Sequence, residues 1–153
     1  MSNKDFLISK IKDGTVLDHI EPGMALIVLR ALNITGIKGN QISIGMNVSS
    51  KRSKKKDIIK VENKFLEPYE TNKLALMAPH ATVNIIKNYN IVEKRNVQLP
   101  NTFTAVFTCV NPSCISNSQE PIKSELLVCE KNPPLLKCKY CSRIFKPDEV
   151  IKT

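Results

Sequence analysis

The sequence predicts an α+β protein with two modules: an N-terminal antiparallel sheet with two helices, followed by a small, mostly β domain that binds zinc. Three observations indicate this. Strand and helix signals alternate before residue 100, and an antiparallel sheet backed by two helices suits that order. All five cysteines lie between residues 109 and 141, where apolar segments are short. Pro100 lies in a short link, so we place the domains at residues 1–100 and 101–153.

The first elements are two extended segments on either side of an Asp-Gly turn signal, at residues 5–12 and 15–20. Pro22 suits the first turn of a helix, because its missing N–H is not needed there. Apolar residues between 24 and 32 supply a broad buried face for this helix. Gly36 lies just past its expected end.

The second half of this module repeats the pattern. Residues 41–48 alternate apolar and polar, which predicts a strand with one buried face, and residues 57–63 again look extended. Pro68 begins a second helix that turns Leu74, Leu76 and Met77 inward and ends at Pro79. Strands at 81–86 and 90–97 complete the module. The order is ferredoxin-like, βαββαβ with additions.

The chain lacks the signals of membrane insertion and export. No apolar stretch approaches the roughly 20 residues that cross a bilayer. The N-terminus is charged throughout and has no signal-peptide apolar region. We therefore expect a cytoplasmic, reducing location, where closely spaced cysteines are more often metal ligands or redox centres than disulfides.

The cysteines form two close pairs, Cys109-x4-Cys114 and Cys138-x2-Cys141, each on a turn. Structural Zn²⁺ prefers four such ligands in a tetrahedron. No His, Asp or Glu lies between the cysteines of either pair, so we expect a closed site with no ligand position for a catalytic water. Disulfides need an oxidising compartment, and a CxxC redox centre leaves the first pair unexplained. An iron–sulfur cluster is the next alternative to zinc. Cys129 is interpreted as a small buried hydrophobe.

The formal charge of +9 is unevenly distributed. Residues 101–153 carry seven basic and five acidic side chains, and four thiolates with Zn²⁺ contribute −2, so the zinc domain is close to neutral. Because nucleic-acid affinity depends on positive charge that neutralises phosphates, a nearly neutral domain is better suited to packing against another protein. In the first module a basic run at 51–56 attracts phosphates or is simply a solvated loop.

No catalytic constellation and no Gly-rich phosphate loop is recognisable in the sequence. Polar residues do interrupt the predicted strands: Lys60, Asn84 and Lys94. Each has a plain interpretation as the solvent face of a half-exposed sheet. The alternative is that, together with Asp18 and His19, they line an anion site at the sheet edge, where the lysines would meet phosphates and Asn84 and backbone groups would meet a base.

Several segments resemble, in order, the regulatory chain of aspartate carbamoyltransferase. They are GTVLDHI at 14–20, ISIGMNV at 42–48, KKDIIKVEN at 55–63, LALMAPHATVNIIKNYNIVEK at 74–94, and CVNPSCIS with LKCKYC between 109 and 141. The match spans essentially the whole chain. No single segment is specific, but their ordered combination is.

The resemblance implies a non-catalytic chain with an allosteric domain that binds CTP as feedback inhibitor and ATP as activator of pyrimidine biosynthesis. It implies that regulatory chains pair through this domain, while the zinc domain, with one structural zinc ion, docks on catalytic chains. The family's assembly has two catalytic trimers bridged by three regulatory dimers. Neither nucleic acid nor a membrane is an implied partner.

Position by position, the resemblance implies a nucleotide site made of Ile8, Ile11, Val16, Asp18, His19, Ile58, Lys60, Thr82, Asn84, Ile86, Tyr89, Ile91 and Lys94. Lys94 would meet the phosphates with help from His19, and Lys60 the sugar or base. Asp18 would accept from ribose hydroxyls, while Tyr89 and Ile11 would offer backbone groups to the base. Ser9 and Lys10 depart from the family's acidic–small pair, and residues 49–55 are more basic than typical, which affects the expected nucleotide preference.

The alternative function is nucleic-acid binding through the basic run and a zinc ribbon. Three tyrosines, five phenylalanines and no tryptophan offer few platforms for stacking bases, so we prefer the regulatory interpretation.

Overall fold

The computed structural model describes residues 10–51 and 55–151. The chain forms two compact units that divide between Gln98 and Leu99. Both are built on antiparallel sheets, and helices are few and short, so the predicted α+β class is confirmed. Within the described residues, no helix is long and apolar enough to span a bilayer.

The first unit is a five-stranded antiparallel sheet in the order β2-β3-β1-β4-β5. Its strands are β1 Gly14–Ile20, β2 Ile42–Ser49, β3 Lys55–Glu62, β4 Thr82–Lys87 and β5 Asn90–Asn96. Its helices are α1 Ala25–Ala31 and α2 Pro68–Thr71, which continues as a 3-10 helix, Asn72–Leu76. The first four strands have the expected ferredoxin-like order, and β5 extends the sheet beyond β4.

One sheet face packs against the helices and forms the core. Because strand side chains alternate between faces, each strand contributes every second residue to it. The fully buried members include Leu17, Ile59, Val61, Val83, Val28 of α1 and Leu74 of the 3-10 helix. Burying each such side chain is worth about 1.5–3 kcal/mol. Leu76 and Met77 are also buried, as predicted for the second helix.

Helix α1 begins at Ala25 and not at Pro22, because a distant side chain caps it. Met24, at the N-cap position, makes no side-chain capping bond. The fully buried Asp57 of β3 instead accepts hydrogen bonds from the N–H of Ala25 and from the N–H of Asn47, both 2.9 Å. This carboxylate satisfies a helix N–H that would otherwise lack a partner.

The end of α1 also differs from the expected position. Asn33 has a φ of 57°, and the Ile34 N–H donates to Leu29 O at 3.0 Å, a left-handed helix ending. Asn tolerates this conformation because its short polar side chain bonds locally. Gly36, the expected terminator, lies in the turn beyond and accepts from the Gly39 N–H.

The second unit is a four-stranded sheet in the order β6-β7-β8-β9. Its elements are β6 Thr102–Thr104, β7 Glu125–Lys131, β8 Pro134–Cys138, β9 Ile144–Phe145 and the short helix α3 Pro147–Val150. Phe103, Leu126, Leu136 and Phe145 form its core. So small a core is marginal without a cross-link or metal.

Three predictions concern Cys129, the strand at 5–12 and the basic run at 51–56. Cys129 is exposed, so its interpretation as a buried hydrophobe is wrong; it lies where the β7–β8 pairing shifts register. The predicted strand at 5–12 falls mostly outside the described residues, and residues 10–12 are not in a strand. Of the basic run at 51–56, residues 52–54 also lie outside them.

Candidate functional site

A row of side chains crosses four strands on the sheet face opposite the helices. Strand pairing aligns Lys60 of β3 with Val16 of β1, Val16 with Asn84 of β4, and Asn84 with Lys94 of β5. Register partners share a face, so the three polar residues that interrupt the apolar strand patterns form one line. Three inter-strand spacings of roughly 4.8 Å put about 14 Å between the Cα atoms of the two lysines.

A second row lies beside the first and depends on a β-bulge. Asp18 pairs with Thr82 on β4, but on the β3 side the register shifts between Leu17 and Ile20. His19 has a φ of 58°, and its Nδ1 lies 3.2 Å from Thr82 Oγ1. In a regular strand, Asp18 and His19 would point to opposite faces. The bulge turns both toward Thr82.

Lys56 joins this site although it was not among the predicted residues. Its Nζ is 2.9 Å from Asp18 Oδ1, with about four-fifths of each side chain buried. The same Asp18 oxygen accepts from the His19 N–H at 2.6 Å. The sequence did contain a signal for Lys56. On β3, Lys56, Ile58 and Lys60 are two residues apart and therefore lie on the same face of the sheet, so placing Lys60 at the site also places Lys56 near it.

The other end of the rows is apolar and includes the β4–β5 hairpin. Ile86 pairs with Ile91 after a register shift that leaves Val92 as an extra residue on β5. Ile91 and Lys94 are three positions apart and would face opposite ways in a regular strand, so this bulge brings both to one face. Tyr89 lies in the hairpin turn, and its N–H donates to Lys12 O at 2.9 Å.

The structure therefore brings most of the sequence-predicted residues together. Strand register and hydrogen bonds link Val16, Asp18, His19, Lys60, Thr82, Asn84, Ile86, Ile91 and Lys94. Ile58 shares the face of Lys60, Tyr89 lies in the adjoining turn, and Ile11 is buried near Gly14 at the start of β1. Ile8 lies outside the described residues.

Burial distinguishes the polar members of the row. Asn84 is only 6% exposed, so its interpretation as a solvent-facing residue is wrong. Its Nδ2 donates a long 3.5 Å bond to Val16 O, while its buried Oδ1 has no hydrogen-bond partner among the described residues. A buried polar atom left unpaired costs about 1–3 kcal/mol, so it marks a place where a ligand or ordered water would bind.

The site is electropositive. Partial burial lowers the pKa of Lys60, since desolvation disfavours its charge; Asp18 raises this pKa, whereas Lys10 and Lys56 lower it further. Lys94 adds an exposed cation at the other end of the row. Among these groups Asp18 is the only acid. An anion placed along the row would relieve the mutual repulsion of the lysines.

The four-cysteine cluster lies in the second unit. The Sγ atoms of Cys109, Cys114, Cys138 and Cys141 all lie within 4.8 Å of one another. Cys109 Sγ is 3.7 Å from Cys141 Sγ, and Cys114 Sγ is 3.6 Å from Cys138 Sγ. A tetrahedral ion with metal–sulfur bonds of about 2.3 Å requires sulfur–sulfur edges of about 3.8 Å, so the thiol geometry fits a structural Zn²⁺.

Local hydrogen bonds position both cysteine turns. Asn117 Nδ2 donates to Cys109 O at 3.0 Å and to Asn111 O at 2.7 Å, and the Cys114 N–H donates to Asn111 O. In the second turn, the Ser142 N–H donates to Cys138 O at 2.9 Å. These hydrogen bonds define the two turns that carry the cysteine pairs.

The thiols differ in acidity. Burial raises the pKa of Cys109 to about 12 and also raises the pKa of Cys138. A hydrogen bond with Ser116 lowers the pKa of Cys114 to about 7, and the Arg143 N–H lowers the pKa of Cys141. Four adjacent thiolates repel one another, and a divalent cation supplies the charge that lets all four ionise.

Comparison with known proteins gives the same family for both units. Residues 6–98 match the family model "Aspartate carbamoyltransferase regulatory chain, allosteric domain", and residues 101–151 match that chain's "metal binding domain". The aspartate carbamoyltransferase regulatory chain of Nitrosopumilus maritimus is 50% identical over 150 residues, which cover 98% of each chain. Those of Cenarchaeum symbiosum and Ignicoccus hospitalis are 51% and 52% identical; the alignments cover 95% and 96% of this chain and 95% of each relative.

Proposed function

The chain belongs to the family of aspartate carbamoyltransferase regulatory chains, and from that premise we propose that its first unit binds CTP and ATP as opposing effectors of pyrimidine biosynthesis. It is a regulatory, non-catalytic chain with an allosteric domain and a metal-binding domain. The observation that carries the proposal is the row formed by Lys60, Asn84 and Lys94 across four strands.

The dimensions of this row favour a nucleoside triphosphate over a smaller anion. Its two lysines are separated by about 14 Å at Cα, and a single phosphate would not extend along the whole row. An extended ligand with a base at one end and phosphates at the other would. The orphaned Oδ1 of Asn84 lies between the lysines and needs a donor, and a nucleotide's amino or hydroxyl groups are such donors.

We assign roles along the row by chemistry. Lys94, with His19 beside Thr82, meets the phosphates. Lys60 meets the sugar or base, and Asp18, positioned by Lys56, accepts from the ribose hydroxyls. The hairpin turn at Tyr89 and the adjacent Ile11 form the base end, where Ile86 and Ile91 supply apolar contact.

Lys10 makes this site more positive than the family pattern. Burial is the main cause of the lowered pKa of Lys60, and the charge of Lys10 adds to that lowering. An ammonium near the base end favours a base edge that carries carbonyl oxygens, so we expect weaker discrimination among pyrimidine nucleotides.

The first unit is also the proposed pairing surface between regulatory chains. Strand β2 is at the edge of the sheet, so its outer backbone groups have no strand partner among the described residues of the unit. Its side chains Ile44 and Met46 are 41% and 39% exposed. Exposed apolar edge strands pair readily, and a second copy satisfies such an edge through two-fold symmetry.

The second unit would hold one structural Zn²⁺ through its four cysteines and dock on the catalytic chain. Its low net charge with thiolates and metal counted favours contact with a protein over nucleic acid. In the proposed holoenzyme, three regulatory dimers bridge two catalytic trimers. Effector binding then shifts the assembly by its difference in affinity between two states, typically about 1–3 kcal/mol.

Calorimetric titration of CTP and ATP into the purified chain tests the nucleotide site. Lys60→Ala and Lys94→Ala each remove one charge-assisted contact, worth about 1.5–3 kcal/mol, so each should weaken binding roughly 10- to 100-fold. Lys131→Ala is the matched control, an exposed lysine of the second unit. All three variants should still assemble with catalytic chains.

The site assignment fails if the Lys60→Ala, Lys94→Ala double variant binds both nucleotides as tightly as the wild type. Equal weakening by Lys131→Ala would indicate that net charge alone, and not the row, attracts the nucleotide.

A further inference from the structure

A cleft separate from the nucleotide row lies in the first unit, at the opposite end of α1 from the Asp57 cap. It has a volume of about 250 Å³ and lies between the connection from α1 to β2 and the connection from β3 to α2. Its lining residues are Asn33, Ile34, Thr35, Gly36, Lys38, Asn40, Asn63 and Lys64. We propose that this cleft is a second anion site, separate from the nucleotide row, that takes phosphate or pyrophosphate.

The charges of the cleft are of one sign. Lys38 and Lys64 come from its two opposite connections, and no lining residue is acidic. Neither ammonium has an ion-pair partner among the described residues. Two cations that share a cleft repel each other and raise the local concentration of anions. An oxyanion between them turns that repulsion into two charge-assisted contacts.

Neutral donors complete the lining. Asn33, Asn63 and Thr35 add side-chain amides and a hydroxyl, and the backbone N–H groups of Gly36 and Lys38 donate to no described acceptor. Gly36 has a φ of 80°, and backbone N–H groups in such a turn form concave anion sites; the intervening Ile37 N–H donates to Thr35 Oγ1 at 3.4 Å and leaves the hydroxyl proton of Thr35 to donate. Cationic side chains and N–H groups all favour an acceptor-rich ligand.

The end of helix α1 does not oppose an anion here. A helix C-terminus presents unpaired carbonyls that repel negative charge. In α1, the carbonyls of Val28, Leu29 and Arg30 already accept from the N–H groups of Leu32, Ile34 and Asn33, at 3.0 Å each. Their negative ends are therefore partly neutralised before a ligand arrives.

The walls of the cleft are held in place without a ligand. Asn40 Nδ2 donates to Glu62 O at 2.8 Å, which ties the beginning of β2 to the end of β3. The Asn63 N–H donates to Asp13 O at 2.9 Å. A volume of 250 Å³ corresponds to about eight waters at roughly 30 Å³ each, enough for phosphate or pyrophosphate.

The test is an NMR titration of the ¹⁵N-labelled full chain with inorganic phosphate and then pyrophosphate, at low salt. The amides of Gly36, Gly39 and Asn40 should shift saturably, with pyrophosphate binding more tightly. The double variant Lys38→Gln, Lys64→Gln should bind at least tenfold more weakly. Lys131→Gln, the matched loss of an exposed lysine in the other unit, should bind as the wild type does.

The nucleotide row serves as a second control. A Lys60→Ala, Lys94→Ala variant should retain the cleft shifts, which separates this proposal from the fate of the nucleotide site. The cleft proposal is overturned if its amides show no saturable shift, or if the Lys38, Lys64 double variant retains wild-type affinity with undisturbed spectra elsewhere. It is equally overturned if the shifts appear only at anion concentrations that move the Lys131 amide as well.

Discussion

A single buried carboxylate connects three elements of the first unit. Asp57 of β3 is fully buried, and its two oxygens accept separately from Ala25 at the start of α1 and from Asn47 of β2. Asn47 lies where the β2–β3 register shifts and has a φ of 55°. The same side chain therefore begins the helix and stabilises the bulge, and its neighbour Lys56 extends to the nucleotide face.

Asp57→Ala should lower the free energy of unfolding by about 2–4 kcal/mol. The substitution removes the helix cap and leaves the buried Ala25 N–H without an acceptor. Urea denaturation of the full chain measures the change. Glu130→Ala removes an exposed carboxylate of β7 and should change stability by less than about 0.5 kcal/mol. Similar stabilities for the two variants would contradict the role assigned to Asp57.

Asn84 shows at the same scale how a site residue differs from a core residue. Core side chains satisfy their polar groups within the fold, as fully buried Thr15 does by donating to Lys64 O and accepting from the Leu66 N–H. Asn84 is nearly as buried but keeps an unpartnered Oδ1 among the described residues. That difference is the structural reason to propose Asn84 as a ligand-binding residue.

At the scale of elements, two bulges create the candidate nucleotide face. The bulge in β1 turns His19 toward Thr82, and the extra residue in β5 puts Ile91 on the same face as Lys94. Regular strands of the same sequences would send one member of each pair to the opposite face. The strands thus supply a rigid scaffold, and their irregularities aim the side chains.

Comparing His19→Val with His19→Asn tests the β1 bulge. Both remove the imidazole, but only Val resists the left-handed backbone at φ 58°, because β-branched residues rarely adopt it. His19→Val should be less stable than His19→Asn by about 1–3 kcal/mol and should bind CTP more weakly. Denaturation and calorimetry on both variants measure this. Indistinguishable variants would show that only the imidazole matters.

At the scale of the whole molecule, the two units have different sources of stability. The first has a layered core of helices on a sheet. The second buries few large side chains, among them Phe103, Leu126, Leu136 and Phe145, and places four cysteines close together beside them. We expect a unit of this size with so small a core to depend on a bound metal, because ligation free energy is folding free energy.

Removal of the metal should therefore release the chain from its catalytic partner. A chelator or a thiol-binding mercurial unfolds the second unit and with it the proposed docking surface. Size-exclusion chromatography of the complex measures the release, and circular dichroism should show that the first unit stays folded. The expectation fails if the complex persists after metal loss is verified.

Cys129 requires a control in that experiment, because it is exposed and also reacts with mercurials. In a Cys129→Ala variant, release should proceed unchanged. If the mercurial no longer releases the Cys129→Ala variant from the complex, the exposed Cys129 thiol and not the four-cysteine cluster would be responsible for the release.

Local patterns in the sequence were sufficient for much of this description. The extended conformation of β2, Pro68 in the first turn of α2 and the cysteine spacing are each encoded by neighbouring residues. The prediction that the apolar face of β2 is buried is wrong, because Ile44 and Met46 are 41% and 39% exposed at the edge of the sheet. The ordered family segments indicate the candidate site residues, and the spacing of Lys56 and Lys60 on β3 indicates that Lys56 lies on the same face. Such features need no knowledge of the rest of the fold.

The tertiary structure decided what depends on residues far apart in the chain. The start of α1 is set by Asp57, 32 positions away, and His19 meets Thr82, 63 positions away. The burial of Asn84, the exposure of Cys129 and the cleft between two connections likewise arise only when the strands pair. The sequence determined most of the side chains of the candidate nucleotide face, whereas bulges and long-range caps decided where they point, because a one-residue shift in register reverses the face of every side chain beyond it.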